Sequence, residues 1–191
     1  MKNNLRTFVA VEMSEAVRDR AEELIGLLRA SAVDVKWVAR QNMHLTLKFL
    51  DEVPLREIPA VCQAVVAAVA DSKAFDFEVR SAGAFPNIRR PRTLWLGGGR
   101  GREQMIALQE RLEKPLAKLG FRKEPRRFEP HLTIGRVRNG GPAMLALGEL
   151  LRQQADFEAG RTRVAELVVF SSQLGPQGPT YEALSRAPLA R

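Results

Sequence analysis

The sequence predicts an α+β protein: one compact unit over residues 1–191, built of two related lobes. Three observations lead there. HLTLKFL at residues 44–50 is echoed by HLTIGRV at 131–137, and these segments carry the chain's two histidines. At ordinary residue frequencies a second histidine would be followed by Leu-Thr-aliphatic about one time in a thousand. The repeat therefore reflects an ancestral duplication, a shared chemistry, or both. Each histidine segment is next followed by a helical pattern and then two strand-like segments, so the order repeats in each half. Finally, no low-complexity stretch or long linker divides the chain.

The elements follow in order. RTFVAVEM reads as a strand. Ser14 is placed to cap the amphipathic helix AVRDRAEELIGLLRA. HLTLKFL alternates and reads as a strand. Pro54 and Pro59 punctuate a turn before an apolar helix that runs to Ala70. FDFEVRSAGAF and TLWLGG read as strands, and REQMIALQERLEKPLAKLG as a helix, with Pro115 a potential kink and Gly120 near its end. HLTIGRVR is again a strand, PAMLALGELLRQQADF a helix, and RVAELVVFSSQL and TYEALSRAPL the last two strands.

Composition narrows the class. A hydrophobic content of 45% with 27% charged residues describes a water-soluble globular chain. The apolar run near the N-terminus is short and breaks at Glu12, unlike a signal peptide, and no stretch has the length of a membrane span. The lone Cys62 cannot form an internal disulfide. The expected setting is the cytoplasm, without a membrane. The net charge is +8, with basic clusters at Arg89, Arg90 and Arg92, at Arg122, Lys123, Arg126 and Arg127, and around Arg161 and Arg163. This balance suits a polyanionic partner, nucleic acid first, or else forms a solvated basic face.

Strand geometry turns the repeat into chemistry. Alternation puts His44, Thr46 and Lys48 on one face and Leu45, Leu47 and Phe49 on the other. His131 and Thr133 likewise oppose Leu132 and Ile134. Two such strands face to face would surround a cavity with two imidazoles and two hydroxyls. Displacement at phosphorus needs a base for the nucleophile and an acid for the leaving oxygen. Histidine serves as either near neutral pH. A metal site would need more ligands than two histidines and one cysteine provide. A serine-histidine-acid triad leaves one histidine unexplained. LGGGRGR at 96–102 lacks the phosphate-loop ending and the spacing of a dinucleotide fingerprint, so it reads as a flexible turn. Lys48 shares the His44 face, to meet phosphate or solvent. Phe49, Phe85 and Trp95 are core residues or base-stacking platforms.

These residues resemble the two-histidine phosphoesterase superfamily, and within it the bacterial and archaeal RNA 2′,3′-cyclic phosphodiesterases, once named 2′-5′ RNA ligases. The likeness runs through RTFVAVEM, NMHLTLKFLDEV, AFPNIRRPRTLWLG, FEPHLTIGRVR and ELVVFSSQL. It departs at Asp51, where such proteins often have glycine. The resemblance implies a bilobal fold with an antiparallel sheet in each lobe and the active cleft between them. It implies hydrolysis of RNA 2′,3′-cyclic ends, or of small cyclic nucleotides, to 2′-phosphates, with no metal or other cofactor. His44 would be the proton donor and His131 the proton acceptor. Thr46, Thr133 and Arg136 would bind substrate. A monomer is expected. Strict alternation turns Arg136 away from His131, so an irregularity is expected near Gly135. End-joining through a 2′-5′ bond in the same cleft, or a non-catalytic RNA- or nucleotide-binding module, are the alternatives.

Overall fold

The computed structural model describes residues 3–176 and 178–190. Its strands are β1 (Asn4–Glu12), β2 (Val35–Trp37), β3 (His44–Pro54), β4 (Phe75–Phe85), β5 (Thr93–Gly98), β6 (His131–Val137), β7 (Glu158–Val164), β8 (Glu166–Gly175) and β9 (Gly178–Pro188). The helices are α1 (Glu15–Leu28), α2 (Ile58–Val69), α3 (Arg102–Lys118) and α4 (Met144–Gln153). Two antiparallel sheets form, ordered β3-β1-β8-β9 and β2-β6-β5-β4-β7. The bilobal α+β fold expected from the sequence is thus present.

The two sheets correspond strand for strand: β3 with β6, β1 with β5, β8 with β4, and β9 with β7, leaving β2 as an added edge. The two halves of the chain correspond as well. β1-α1-β3-α2 is matched by β5-α3-β6-α4. The next long strand of each half then crosses over: β4 pairs with β5, and β8 pairs with β1. The lobes are therefore not the halves, because each sheet contains strands from both.

Local chemistry sets the helices. Ser14 caps α1 as expected, its Oγ accepting from the Val17 N–H at 3.3 Å. Val17, Ala21, Leu24, Ile25 and Leu28 form a buried stripe at helical spacing. In α2 the stripe is Val61, Val65 and Val69. Helix α3 runs through Pro115 to Lys118, and just beyond it Gly120 takes a left-handed φ of 93°. The Gly120 and Phe121 N–H groups close on Ala117 O and Leu116 O. Helix α1 packs on β7 and α4, and α2 packs on β9 and α3. One continuous apolar core joins the two sets.

Three segments differ from the sequence reading. RVAELVVFSSQL is two strands in different sheets, separated at Ala165. Strand β7 begins at Glu158, in polar sequence, as the far edge of the second sheet. The glycine run is only partly a turn: Gly97 and Gly98 finish β5, and only Gly101 takes a left-handed φ, 87°, before α3.

Asp51 has a φ of 54°, in the region where glycine is free of strain and aspartate is tolerated better than most residues. This conformation suits the glycine that the resemblance leads one to expect at this position. Asp51→Gly is expected to leave stability unchanged or raise it by up to ~1 kcal/mol, whereas Asp51→Val should lower it by ~1–2 kcal/mol. Urea midpoints of the two variants check this, and equal midpoints would contradict it.

Candidate active site

Strands β3 and β6 lie beside each other where the two sheets meet. His44 opens β3 and His131 opens β6. Thr46 and Thr133 are half-buried like the histidines, while Leu45, Leu47, Leu132 and Ile134 are buried in the core. The alternation read from the sequence holds through these four positions of each motif.

Both imidazoles are held alike. His44 Nδ1 lies 2.8 Å from Asn42 O, and His131 Nδ1 lies 2.7 Å from Glu129 O. A carbonyl only accepts, so each Nδ1 carries the proton, and each Nε2 is left to take or give one. The residues supplying these carbonyls are themselves anchored. Asn42 Nδ2 donates to Pro179 O at 2.8 Å, and the Glu129 carboxylate accepts from Arg102 Nε and Nη2 at 2.8–3.1 Å. Sequence reasoning missed both anchors. A main-chain carbonyl two residues before a histidine has no side-chain signature.

The irregularity expected near Gly135 is present, and it has a counterpart. Ile134 has no partner in the β5 register, which passes from Thr133 to Gly135. Leu47 has none in the β1 register, which passes from Thr46 to Lys48. Each motif therefore bulges at its fourth residue, and a bulge resets which face later side chains take. Gly135 turns inward, where a Cβ would come within 2.8 Å of Val35 and 2.9 Å of the Trp37 ring, both on β2. Arg136 turns to the histidine side, its Nη1 donating to Thr93 Oγ1 at 3.2 Å. Its charge is felt by both His131 and Tyr181.

The first bulge corrects the reading of Lys48 and Phe49. Lys48 is buried on the opposite side from His44, and its ammonium donates to both Glu113 oxygens at 2.8 and 3.0 Å and to Arg122 O at 2.7 Å. Phe49, expected in the core, is exposed and lies 6.1 Å from Phe8. Phe85 meets His131 edge-on at 5.0 Å, with Trp95 behind it at 5.2 Å. On the first sheet His44 stacks on Phe8 at 4.8 Å, and Tyr181 meets it edge-on at 5.1 Å. Tyr181 carried no signal in the sequence.

Burial pushes the His44 imidazole down to about 4, and the Arg18 charge adds to this against the Asn42 carbonyl and Glu12. Burial and Arg136 also lower His131. Burial raises Tyr181. Beside His44 opens a pocket of about 270 Å³, lined among others by Glu12, Arg18, Gln41, Phe170 and Tyr181. Among the described residues no cluster of three or more His, Cys, Asp or Glu could hold a metal ion. Nor is any described helix long and apolar enough to cross a membrane.

Two imidazoles, two motif hydroxyls and an arginine, carried by paired sheets, are the residue set expected of a two-histidine phosphoesterase. The chain belongs to the 2′-5′ RNA ligase superfamily, whose family model matches residues 14–176. It is 36% identical to an RNA 2′,3′-cyclic phosphodiesterase of Methanothermobacter thermautotrophicus, over 93% of this chain and 95% of that one. It is 34% identical to the protein of the same name from Thermotoga maritima, over 94% and 93% of the two chains. Among solved structures, a protein of Thermus thermophilus superposes with a TM-score of 0.81 at 26% identity, covering 97% of this chain and 98% of that one. Escherichia coli LigT, crystallised with 3′-AMP, shares the fold with a TM-score of 0.74 at 23% identity, over 99% of both chains.

Proposed function

We propose that this protein hydrolyses RNA 2′,3′-cyclic phosphodiester ends to 2′-phosphomonoesters by acid–base catalysis between His44 and His131. One observation carries the reading: equivalent strands of the two sheets present imidazoles held alike, each by Nδ1 on a main-chain carbonyl and with no hydrogen bond to Nε2 among the described residues. The names of the relatives supply the substrate class.

The reaction is an in-line displacement. His131 Nε2 takes a proton from water as the water oxygen bonds to phosphorus. The bond from phosphorus to the 3′ oxygen breaks, and protonated His44 gives its Nε2 proton to that oxygen. The 2′ oxygen keeps the phosphate. Thr46 and Thr133 donate to the non-bridging oxygens, and Arg136 offsets the charge that builds on them. The pocket beside His44 suits this assignment, because the departing oxygen brings its nucleoside with it, whereas water needs no such space.

The pH dependence follows from burial. The acting state needs His44 protonated and His131 neutral, yet burial in the free protein lowers His44 toward 4 and also lowers His131. The maximum of kcat/KM should therefore fall on the acid side of ordinary histidine titration, below pH ~6.5. A bound phosphodiester anion favours the charged imidazole, so kcat should peak at higher pH than kcat/KM. A kcat/KM maximum above pH ~7.5 would contradict this protonation scheme.

The reading is tested by incubating an oligoribonucleotide with a 2′,3′-cyclic end in EDTA, with and without a 5′-hydroxyl acceptor strand. A 2′-phosphate as the main product in both cases is expected. A 2′-5′ joined strand as the main product would favour end-joining, and binding without turnover would favour a non-catalytic module.

A further inference from the structure

We propose that Phe49 is a stacking platform for the base that precedes the cyclic-phosphate nucleotide, making it a determinant of oligonucleotide over mononucleotide substrates. This rests on reading the cleft as a cyclic-phosphodiester hydrolase. The pseudo-symmetry of the two motifs carries the inference. Phe49 stands five residues after His44, as Arg136 stands five after His131, and in each strand the bulge at the fourth motif residue turns that side chain to the histidine side. Each then rests on its cross-strand partner: Arg136 on Thr93, Phe49 on Phe8.

One half of the cleft thus offers a guanidinium and the other a phenyl ring. That ring is 57% exposed, and of the nine phenylalanines Phe49 alone is exposed. An apolar ring turned to water beside a phosphate-handling site gains nothing for the core. It matches the π-face of a nucleobase, as in proteins that hold single strands between cations and aromatic rings. Phe8, buried beneath it, also supports His44, Phe170 and Tyr181, so the platform is rigid. Arg6, whose charge reaches Tyr181, adds a cation on the same sheet face for the strand's backbone.

The choice of base follows from the pocket. The departing 3′ oxygen belongs to the terminal nucleotide, which fills the space beside His44. Phe49 is not among the residues lining that pocket, and Phe8 stands between it and His44 in the chain of ring contacts. The preceding base is the next group along the strand.

The test compares a cyclic-ended trinucleotide with a nucleoside 2′,3′-cyclic phosphate. The ratio of their kcat/KM values should fall about tenfold in Phe49→Ala and Phe49→Leu and be kept in Phe49→Trp. A second readout places 2-aminopurine at the penultimate position and binds it to a His131→Ala background. Its fluorescence should be quenched with Phe49 and recover in Phe49→Ala. An unchanged ratio, or equal losses on both substrates, would overturn the proposal, as would quenching that persists without the ring. Should the protein with both histidines turn over neither substrate, the hydrolase reading fails, and the quenching still decides whether Phe49 stacks.

Discussion

Replacing either His44 or His131 with alanine is expected to lower kcat on a cyclic-ended oligoribonucleotide by about 10²- to 10⁴-fold, the range for a lost proton transfer. The double variant should fall little further than the weaker single variant. In the proposed reaction acid and base act in one transition state, and groups that act together are strongly non-additive. KM should change less than kcat, because Thr46, Thr133 and Arg136, proposed to hold the phosphate, are kept. Steady-state rates in EDTA for the three variants check this. Multiplicative losses in the double variant would show two independent contributions and count against a concerted pair.

The second large effect is on stability. Lys48→Met should lower the unfolding free energy by ~3–5 kcal/mol, the usual cost of removing one partner of a buried ion pair. The ammonium binds Glu113 on α3 and the Arg122 carbonyl, while Gln109 Nε2 and the Glu124 N–H also converge on that carboxylate. Removing the cation strands a largely buried charge and frees the start of the segment leading to His131. The double variant Lys48→Met with Glu113→Leu should recover most of the loss, because no charge is then left unpaired. Urea unfolding of both proteins measures it. A single-variant loss below ~1 kcal/mol would mean that water replaces the lysine.

The lysine also marks where sequence reasoning stops. Alternation placed His44, Thr46, His131 and Thr133 correctly because a period of two holds until the chain is interrupted. Gly135 announced the second interruption, since β2 crosses close enough to exclude any side chain there. Nothing announced the first. Leu47 and Lys48 form an ordinary strand pair, and only their register against Val9 and Ala10 shows that two residues share one site. The error passed to Phe49, whose apolar side chain implied the core. Strand β2 is three residues long, too short for any period. Strand β7 was hidden because EAGRTRV buries only Ala159, Thr162 and Val164 and reads as polar. The exchange of β4 and β8 between sheets left no mark in the sequence. Both strands carry the apolar pattern that either sheet would accept.

The central claim is that the imidazole on the first sheet gives a proton and that on the second takes one. The most direct test is the pH dependence of kcat/KM in the two single-histidine variants. His44→Ala keeps only the base, so its rate should rise with pH to a plateau, without a fall at the alkaline side. His131→Ala keeps only the acid, so its rate should fall as pH rises through the His44 titration, without an acid limb. Bell-shaped profiles in both variants, or the two half-profiles interchanged, would contradict the assignment.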